Sequence, residues 1–131
     1  MTEGKSMRDL NLSILVVDDH STIRALLKTQ LRRMGYTQIC EASDGKSAYD
    51  ILRKQKIGLI ISDWNMPLMT GYELLKAVRG NERLAKTPFI MVTAESSPEQ
   101  ISMAVMLKVD QFILKPFTLD ILEKKINQVV Q

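Results

Sequence analysis

Four short apolar runs in this chain each lead into residues suited to phosphoryl chemistry. Ile14-Leu15-Val16-Val17 leads into Asp18-Asp19, and Leu59-Ile60-Ile61-Ser62 into Asp63. Phe89-Ile90-Met91-Val92 leads into Thr93, and Phe112-Ile113-Leu114 into Lys115. If these runs are parallel strands of one sheet, three carboxylates, a hydroxyl and an ammonium meet along one edge, the edge where open α/β sheets place their sites. Each residue alone has a plainer explanation, since an aspartate after a strand is most often a turn former or helix cap. A threonine is likewise a common strand end, and a lysine a solvated charge. The coincidence at four strand ends outweighs those readings.

Asp18, Asp19 and Asp63 cannot lie together fully ionised without a compensating cation, because like charges raise one another's pKa. Mg²⁺ meets that need with oxygen ligands from one or two carboxylates, waters and a phosphate oxygen. When bound, it neutralises charge developing on a phosphoryl group. A carboxylate can itself be the nucleophile and form an acyl phosphate. Asp63 is the better candidate because it stands alone, while adjacent Asp18 and Asp19 suit the metal. Lys115 supplies a point charge for phosphoryl oxygens, and Thr93 a hydrogen-bond donor. The pattern predicts a magnesium-dependent aspartyl-phosphate switch. The sequence has no GxxxxGK[ST] or GxGxxG loop to cradle a nucleotide. The expected phosphoryl donor is therefore another protein or a small acyl phosphate rather than ATP.

Five strand-like runs alternate with five helix-like segments, the pattern of a doubly wound α/β domain with a five-stranded parallel sheet. Apolar runs without polar alternation suit strands covered on both faces. The second strand, about Gln38 to Ala42, is mixed in polarity, as expected of an edge. The first helix is expected to start at Ser21 or Thr22 as the capping residue. Ile23, Leu26, Leu27, Leu31 and Met34 would form its inner face, and Gly35 would end it. Asp44-Gly45 precedes a second helix carrying Ala48, Ile51 and Leu52. A third runs from about Gly71 to Arg79 with Leu74, Leu75 and Val78 inward. Ser97-Pro98 starts the fourth and Thr118 the fifth, whose Leu119, Leu122, Ile126 and Val129 fall in register.

At 131 residues the chain is expected to be one domain, burying roughly two-thirds of its unfolded surface without help from disulfides or metal. Its 45% apolar and 25% charged residues are ordinary for a globular protein. The lone Cys40 is expected to be a small buried hydrophobe. No apolar stretch approaches the ~18 residues of a membrane span, and no signal peptide is evident. Residues 1–11 read as a flexible lead-in and 12–131 as the domain, with a cytoplasmic location and no membrane partner. The net charge of +3 is modest and the basic pairs are scattered, so no nucleic-acid partner is expected.

The same residues carry a resemblance. VVDD (Val16 to Asp19), ISDWNMP (Ile61 to Pro67), an MxG turn (Met69 to Gly71), MVTAE (Met91 to Glu95) and KPF (Lys115 to Phe117) resemble the receiver domain of two-component response regulators. Within that family the likeness is to the single-domain chemotaxis regulators, and it spans Leu12 to Val130. The resemblance implies a flavodoxin-like sheet of order 2-1-3-4-5. It implies Asp63 as phosphoacceptor, with Mg²⁺ held by Asp19, Asp63 and the backbone carbonyl of Asn65, and by Asp18 through water. Thr93 and Lys115 match the phosphate-contacting residues, and the Lys115–Pro116 bond would be cis. Asn65 and Glu95 stand where the family tunes loss of the phosphoryl group to water, which leaves room for a dedicated phosphatase. The implied partners are a chemotaxis histidine kinase and the flagellar motor switch protein, the latter meeting the face of the fourth helix, fifth strand and fifth helix. The chain would be a monomer and no enzyme beyond its own aspartyl phosphorylation and dephosphorylation. A phosphorelay carrier or phosphate sink without a motor target stays open. A true phosphatase is disfavoured because Asp63-Trp64-Asn65 lacks the DxD pairing of such hydrolases.

Two positions depart from the family pattern. Phe112 replaces the usual switch tyrosine, and Leu107-Lys108-Val109-Asp110-Gln111 replaces a run of small residues, altering the output face. Phosphorylation would draw Thr93 toward the new oxygens and vacate space for Phe112. Inverting a 1:99 population takes ~5.5 kcal/mol, whereas one hydrogen bond to a charged group gives ~1.5–3. Lys115 and the metal must therefore contribute as well. Phe112 has no hydroxyl to bury, a term costing ~1–3 kcal/mol, so the unphosphorylated form is expected to lean toward the active conformer. Met66, Met69, Met91, Met103 and Met106 are expected mainly as core filling, His20 as a helix-start residue, and Trp64 as a partly exposed reporter of the site.

Overall fold

The computed structural model describes residues 9–94 and 97–130. Its strands are β1 (Ser13–Val17), β2 (Gln38–Ala42), β3 (Leu59–Asp63), β4 (Phe89–Thr93) and β5 (Gln111–Leu114). Its helices are α1 (Ser21–Arg33), α2 (Gly45–Lys54), α3 (Gly71–Gly80), α4 (Pro98–Met106) and α5 (Leu119–Val129). The strands pair in parallel in the order β2-β1-β3-β4-β5, as expected. Successive strand residues point to opposite faces, and both faces are apolar. Leu15, Val17, Ile60, Phe89 and Met91 meet Ala48 and Leu52 of α2, Leu74, Leu75 and Val78 of α3, and Ala104 of α4. Ile14, Val16, Leu59, Ile61, Ile90, Val92 and Ile113 meet Leu27 and Leu31 of α1 and Leu122 and Ile126 of α5. Among the described residues, no helix is long and apolar enough to cross a membrane.

Four helices begin at side-chain caps. Asp44 accepts from the Ser47 N–H, Ser97 from Gln100 and Thr118 from Ile121, while Thr70 and Glu73 form a reciprocal capping box. The start of α1 differs from expectation. His20, not Ser21 or Thr22, occupies the capping position, and its side chain caps nothing. The Asp18 carboxylate accepts from the His20 N–H at 2.9 Å instead, tying the site to the first turn of the helix. The far end of α1 closes as expected. Gly35 adopts φ +103°, the Gly35 N–H donates to the Arg32 carbonyl, and the Tyr36 N–H to the Leu31 carbonyl, a Schellman termination.

Several side chains depart from expectation. Leu26 is exposed, because the seam of α1 against the sheet follows Leu27 and Leu31 instead. Cys40 is half-buried on the edge strand β2, where its sulfur accepts from Gln55 Nε2. Met66 and Met91 fill the core, but Met103 and Met106 of α4 are exposed. Trp64 is 6% exposed and stacks on Tyr72 with centroids 5.6 Å apart; Trp64 and Met66 enter the core beneath α3, so the partly exposed indole expected here is not observed. Of the expected lead-in, residues 1–8 lie outside the described residues. Asp9 begins a turn that leads into β1, accepting from Leu12 and Asn11 N–H groups.

Candidate functional site

Strand register sets the geometry of the site. Val17 lies opposite Ser62, Asp63 opposite Val92, and Thr93 opposite Leu114. Asp18 therefore follows β1 level with Asp63, while Thr93 lies one step and Lys115 two steps further along the carboxyl edge. The Lys115 N–H donates to the Thr93 carbonyl, and the Trp64 N–H to the Val92 carbonyl, so three strand ends are locked together. The Lys115–Pro116 bond is cis.

Helix α3 is seated directly against Asp63. The Gly71 N–H donates to the Trp64 carbonyl at 2.8 Å, and a Cβ on Gly71 would fall 2.1 Å from the Asp63 carbonyl oxygen. Only glycine permits that approach. The loop between them, Asn65 to Thr70, forms one wall, with Asn65 exposed. Leu68 stands at its tip, exposed and at φ 68°.

Asp18 and Asp63 are buried, and Lys115 bridges them, with Nζ 3.1 Å from Asp18 Oδ2 and 3.3 Å from Asp63 Oδ1. Burial raises the Asp63 carboxyl above its ordinary value, and Asp18 adds to the rise. The Lys115 charge and hydrogen bond work against it without cancelling it. Burial pulls Lys115 itself down, but the hydrogen bond to Asp18 and the two carboxylate charges leave it raised. Asp19 is exposed. Thr93 is buried at the end of β4.

The arrangement suits a hard dication. Ligand atoms of Asp18, Asp19, His20 and Asp63 all lie within 4.8 Å of one another, a spread that donors about 2.0–2.4 Å from one centre can span. The expected residues Asp18, Asp19, Asp63 and Lys115 thus come together, and strand register puts Thr93 on the same edge. Phe112 does not join them. It is half-buried against the core beneath α4 and lines a groove of about 400 Å³ with Ile101, Leu114, Pro116, Ile121 and Lys125. Glu95 lies outside the described residues.

Sequence reasoning underrated two residues. His20 belongs to the ligand cluster, its Nδ1 2.9 Å from Asp18 Oδ1 and 3.2 Å from Asp19 Oδ1, and its position directly after two aspartates was the available signal. The hydrogen bond to Asp18 and the charges of Asp19 and Asp18 raise its pKa. Arg79 left no such signal, because its partners lie in distant loops (Discussion).

The geometry can be set beside known proteins. A family profile described as the response regulator receiver domain matches residues 14–127. The chemotaxis protein CheY of Pseudomonas aeruginosa is 43% identical over 120 residues, covering 92% of this chain and 97% of that protein. CheY-3 of Vibrio cholerae is 41% identical over 121 residues, covering 92% and 93%. The solved structure of Vibrio cholerae CheY4 superposes with a TM-score of 0.86 at 36% identity, covering 92% of this chain and 99% of that one. With its 2-1-3-4-5 sheet and an acidic cluster at the carboxyl edge, the chain belongs to the response regulator receiver domain family, as a CheY-like response regulator.

Proposed function

We propose that this protein is a single-domain regulator of bacterial chemotaxis, switched in the cytoplasm by phosphorylation of Asp63. The observation that carries the reading is the Lys115 bridge between Asp18 and Asp63, beside the open carboxylate of Asp19. A cation of fixed position stands against the nucleophile, where it can meet the oxygens of an incoming phosphoryl group.

A histidine kinase presents a phosphohistidine. An Asp63 carboxylate oxygen attacks phosphorus, the P–N bond breaks, and the electron pair leaves with the donor imidazole, which takes up a proton. The product is an acyl phosphate on Asp63. Asp18, Asp19, Asp63 and the Asn65 carbonyl would hold Mg²⁺, which would offset the charge on the phosphoryl oxygens. Lys115 exchanges part of its contact with Asp63 for those oxygens, and Thr93 donates its hydroxyl to them. Asn65 and Glu95 set how readily water attacks phosphorus and returns the carboxylate. Movement at Thr93 reaches Phe112 through the β4–β5 pairing. It changes the face formed by α4, β5 and α5, where Ile101, Met103, Met106, Leu114 and Ile121 are exposed. That face then binds the flagellar motor switch protein. The chain acts as a regulator, and its only catalysis is on its own Asp63.

The test is binding to an N-terminal motor-switch peptide, in Mg²⁺ alone and in Mg²⁺ with beryllofluoride, which stands in for the phosphoryl group on Asp63. Trp64 fluorescence is followed alongside, and its stack on Tyr72 beside the site makes it the internal reporter. Beryllofluoride is expected to change the fluorescence and raise peptide affinity. A fluorescence response without peptide binding would keep the receiver chemistry and move the output to a relay or phosphate sink. No response in either signal would overturn the assignment of Asp63.

A further inference from the structure

His20 is the one member of the ligand cluster that is not a carboxylate, and it changes what the site can hold. Its Nδ1 lies 2.9 Å from Asp18 Oδ1 and 3.2 Å from Asp19 Oδ1. Adjacent ligands of an octahedral ion with bonds of about 2.1 Å are separated by about 3.0 Å, so these two separations are also the edges of a coordination shell. A ring nitrogen of His20 and carboxylate oxygens of Asp18, Asp19 and Asp63 lie within 4.8 Å of one another, close enough to share one ion.

The rest of the cluster leaves His20 available for this. The Asp18 carboxylate is oriented on two sides, by the His20 backbone N–H on Oδ1 at 2.9 Å and by Lys115 on Oδ2 at 3.1 Å. The Arg24 guanidinium is committed to the Asp18 carbonyl and to Glu41, so it does not compete for the imidazole. The His20 side chain is 62% exposed. It can therefore rotate onto an ion or off it without disturbing the core. Mg²⁺, a hard ion that favours oxygen, gains little from an imidazole. First-row transition ions accept imidazole readily and bind N/O sites more tightly toward the end of the series.

We propose that His20 is a selectivity ligand that widens this site's preference for nitrogen-accepting transition dications, such as Ni²⁺, over Mg²⁺. The proposal rests on the reading of the cluster as a divalent-ion site.

The test is calorimetric titration of the full chain with Ni²⁺ and with Mg²⁺, comparing wild type with His20→Ala and with His20→Phe, a planar ring lacking a nitrogen donor. The ratio of Ni²⁺ to Mg²⁺ affinity is expected to fall about tenfold or more in both variants, the scale of losses at metal-site histidine shells. His20 is also the sole histidine in the sequence, so in untagged protein its ring protons are assignable at once. Paramagnetic Ni²⁺ is expected to move them far outside the ordinary range. An unchanged affinity ratio, or ring signals that keep their ordinary shifts at saturating Ni²⁺, overturns the proposal while leaving the site intact. If wild type and variants alike fail to bind Mg²⁺, the underlying reading of the site fails and this inference falls with it.

Discussion

Two charge clusters in this molecule are built in opposite ways. At the carboxyl edge, Asp18 and Asp63 share Lys115, Asp19 stands beside them, and Asp63 is left with a raised pKa. At the end of α3, Arg79 has all five N–H groups matched. Nε donates to the Leu107 carbonyl, Nη1 to the carbonyls of Ala85 and Thr87, and Nη2 to the Lys108 carbonyl and Asp110 Oδ2. Asp110 Oδ2 also accepts from the Phe89 N–H at 2.7 Å. One guanidinium thus fastens α3, the loop before β4 and the turn between α4 and β5. That turn includes Lys108 at φ 60°, and the two carbonyls held on either side of the kink keep it in place. Buried charges that are fully matched hold a structure still, whereas a cluster with surplus like charge stores a preference for an added cation. On the proposed function, the Arg79 clamp is scaffold and the Asp63 cluster is switch.

The largest test of this contrast is Arg79→Ala. Removing Arg79 leaves stranded carbonyls and deprives Asp110, itself 39% exposed, of its ion pair, at a cost of roughly 3 kcal/mol, the upper end for partners left unsatisfied. Urea unfolding is expected to show a lower midpoint with an unchanged slope. The beryllofluoride response should survive wherever the variant is folded. A folded variant that no longer responds would make Arg79 part of the switch and erase the distinction. Gly71→Ala comes next, at about 1–3 kcal/mol for overpacking, because its methyl group meets backbone at Asp63 rather than a yielding side chain. Here the expected outcome is reversed in kind: modest unfolding, but a clear loss of phosphoryl uptake, read by intact mass after acetyl phosphate treatment. Full phosphorylation of a folded Gly71→Ala protein would show that the α3 seat does not position Asp63.

How much of this was legible beforehand follows the range of each interaction. The carboxyl-edge residues were readable because each sits at the end of its own apolar run, and parallel pairing brings run ends together whatever the loops do. Caps at Asp44, Thr118 and Ser97 were readable because capping acts within three residues. His20 stands at the start of α1 as expected, but as its capping residue in place of Ser21 or Thr22, because the Asp18 carboxylate claims its N–H. Trp64 was misplaced because whether its indole turns outward or against Tyr72 depends on α3, an element absent from any local window. The Arg79 clamp joins residues up to 29 positions apart through backbone carbonyls, which carry no sequence signature at all.

Phe112 lies on β5, the strand that follows the clamped turn and that the proposed switch would move. Half-buried at the groove behind α4, it lacks the hydroxyl that would favour staying outward. Phe112→Tyr is expected to weaken basal binding of the motor-switch peptide, measured without beryllofluoride, by about 1 kcal/mol, the low end for burying an unpaired hydroxyl, or roughly fivefold in Kd. Unchanged basal affinity would remove the idea that this chain leans toward its active conformer at rest.

The smallest effect is the most specific to the switch cluster, because Lys115 already offsets part of the burial of Asp63. In metal-free protein the folded state holds the Asp63 proton to higher pH than the unfolded chain does, whose value is near the ordinary 3.8. Folded protein then binds the extra proton between those two values, so stability falls as pH rises from about 3.8 through the raised folded pKa, and levels off above it. Glu41 and Asp50, both lowered by basic partners, contribute in the opposite sense across the acid range, so only a difference between proteins isolates Asp63. Asp63→Asn removes the titrating carboxylate and keeps its shape. Metal-free Asp63→Asn should therefore melt higher than wild type at neutral pH, and the gap should close on acidification. Saturating Mg²⁺ should shrink the gap from the other side, because the ion offsets the charge that wild type carries and the variant lacks. Parallel melting curves at every pH, with and without Mg²⁺, would place Asp63 among the matched charges and leave the two clusters alike.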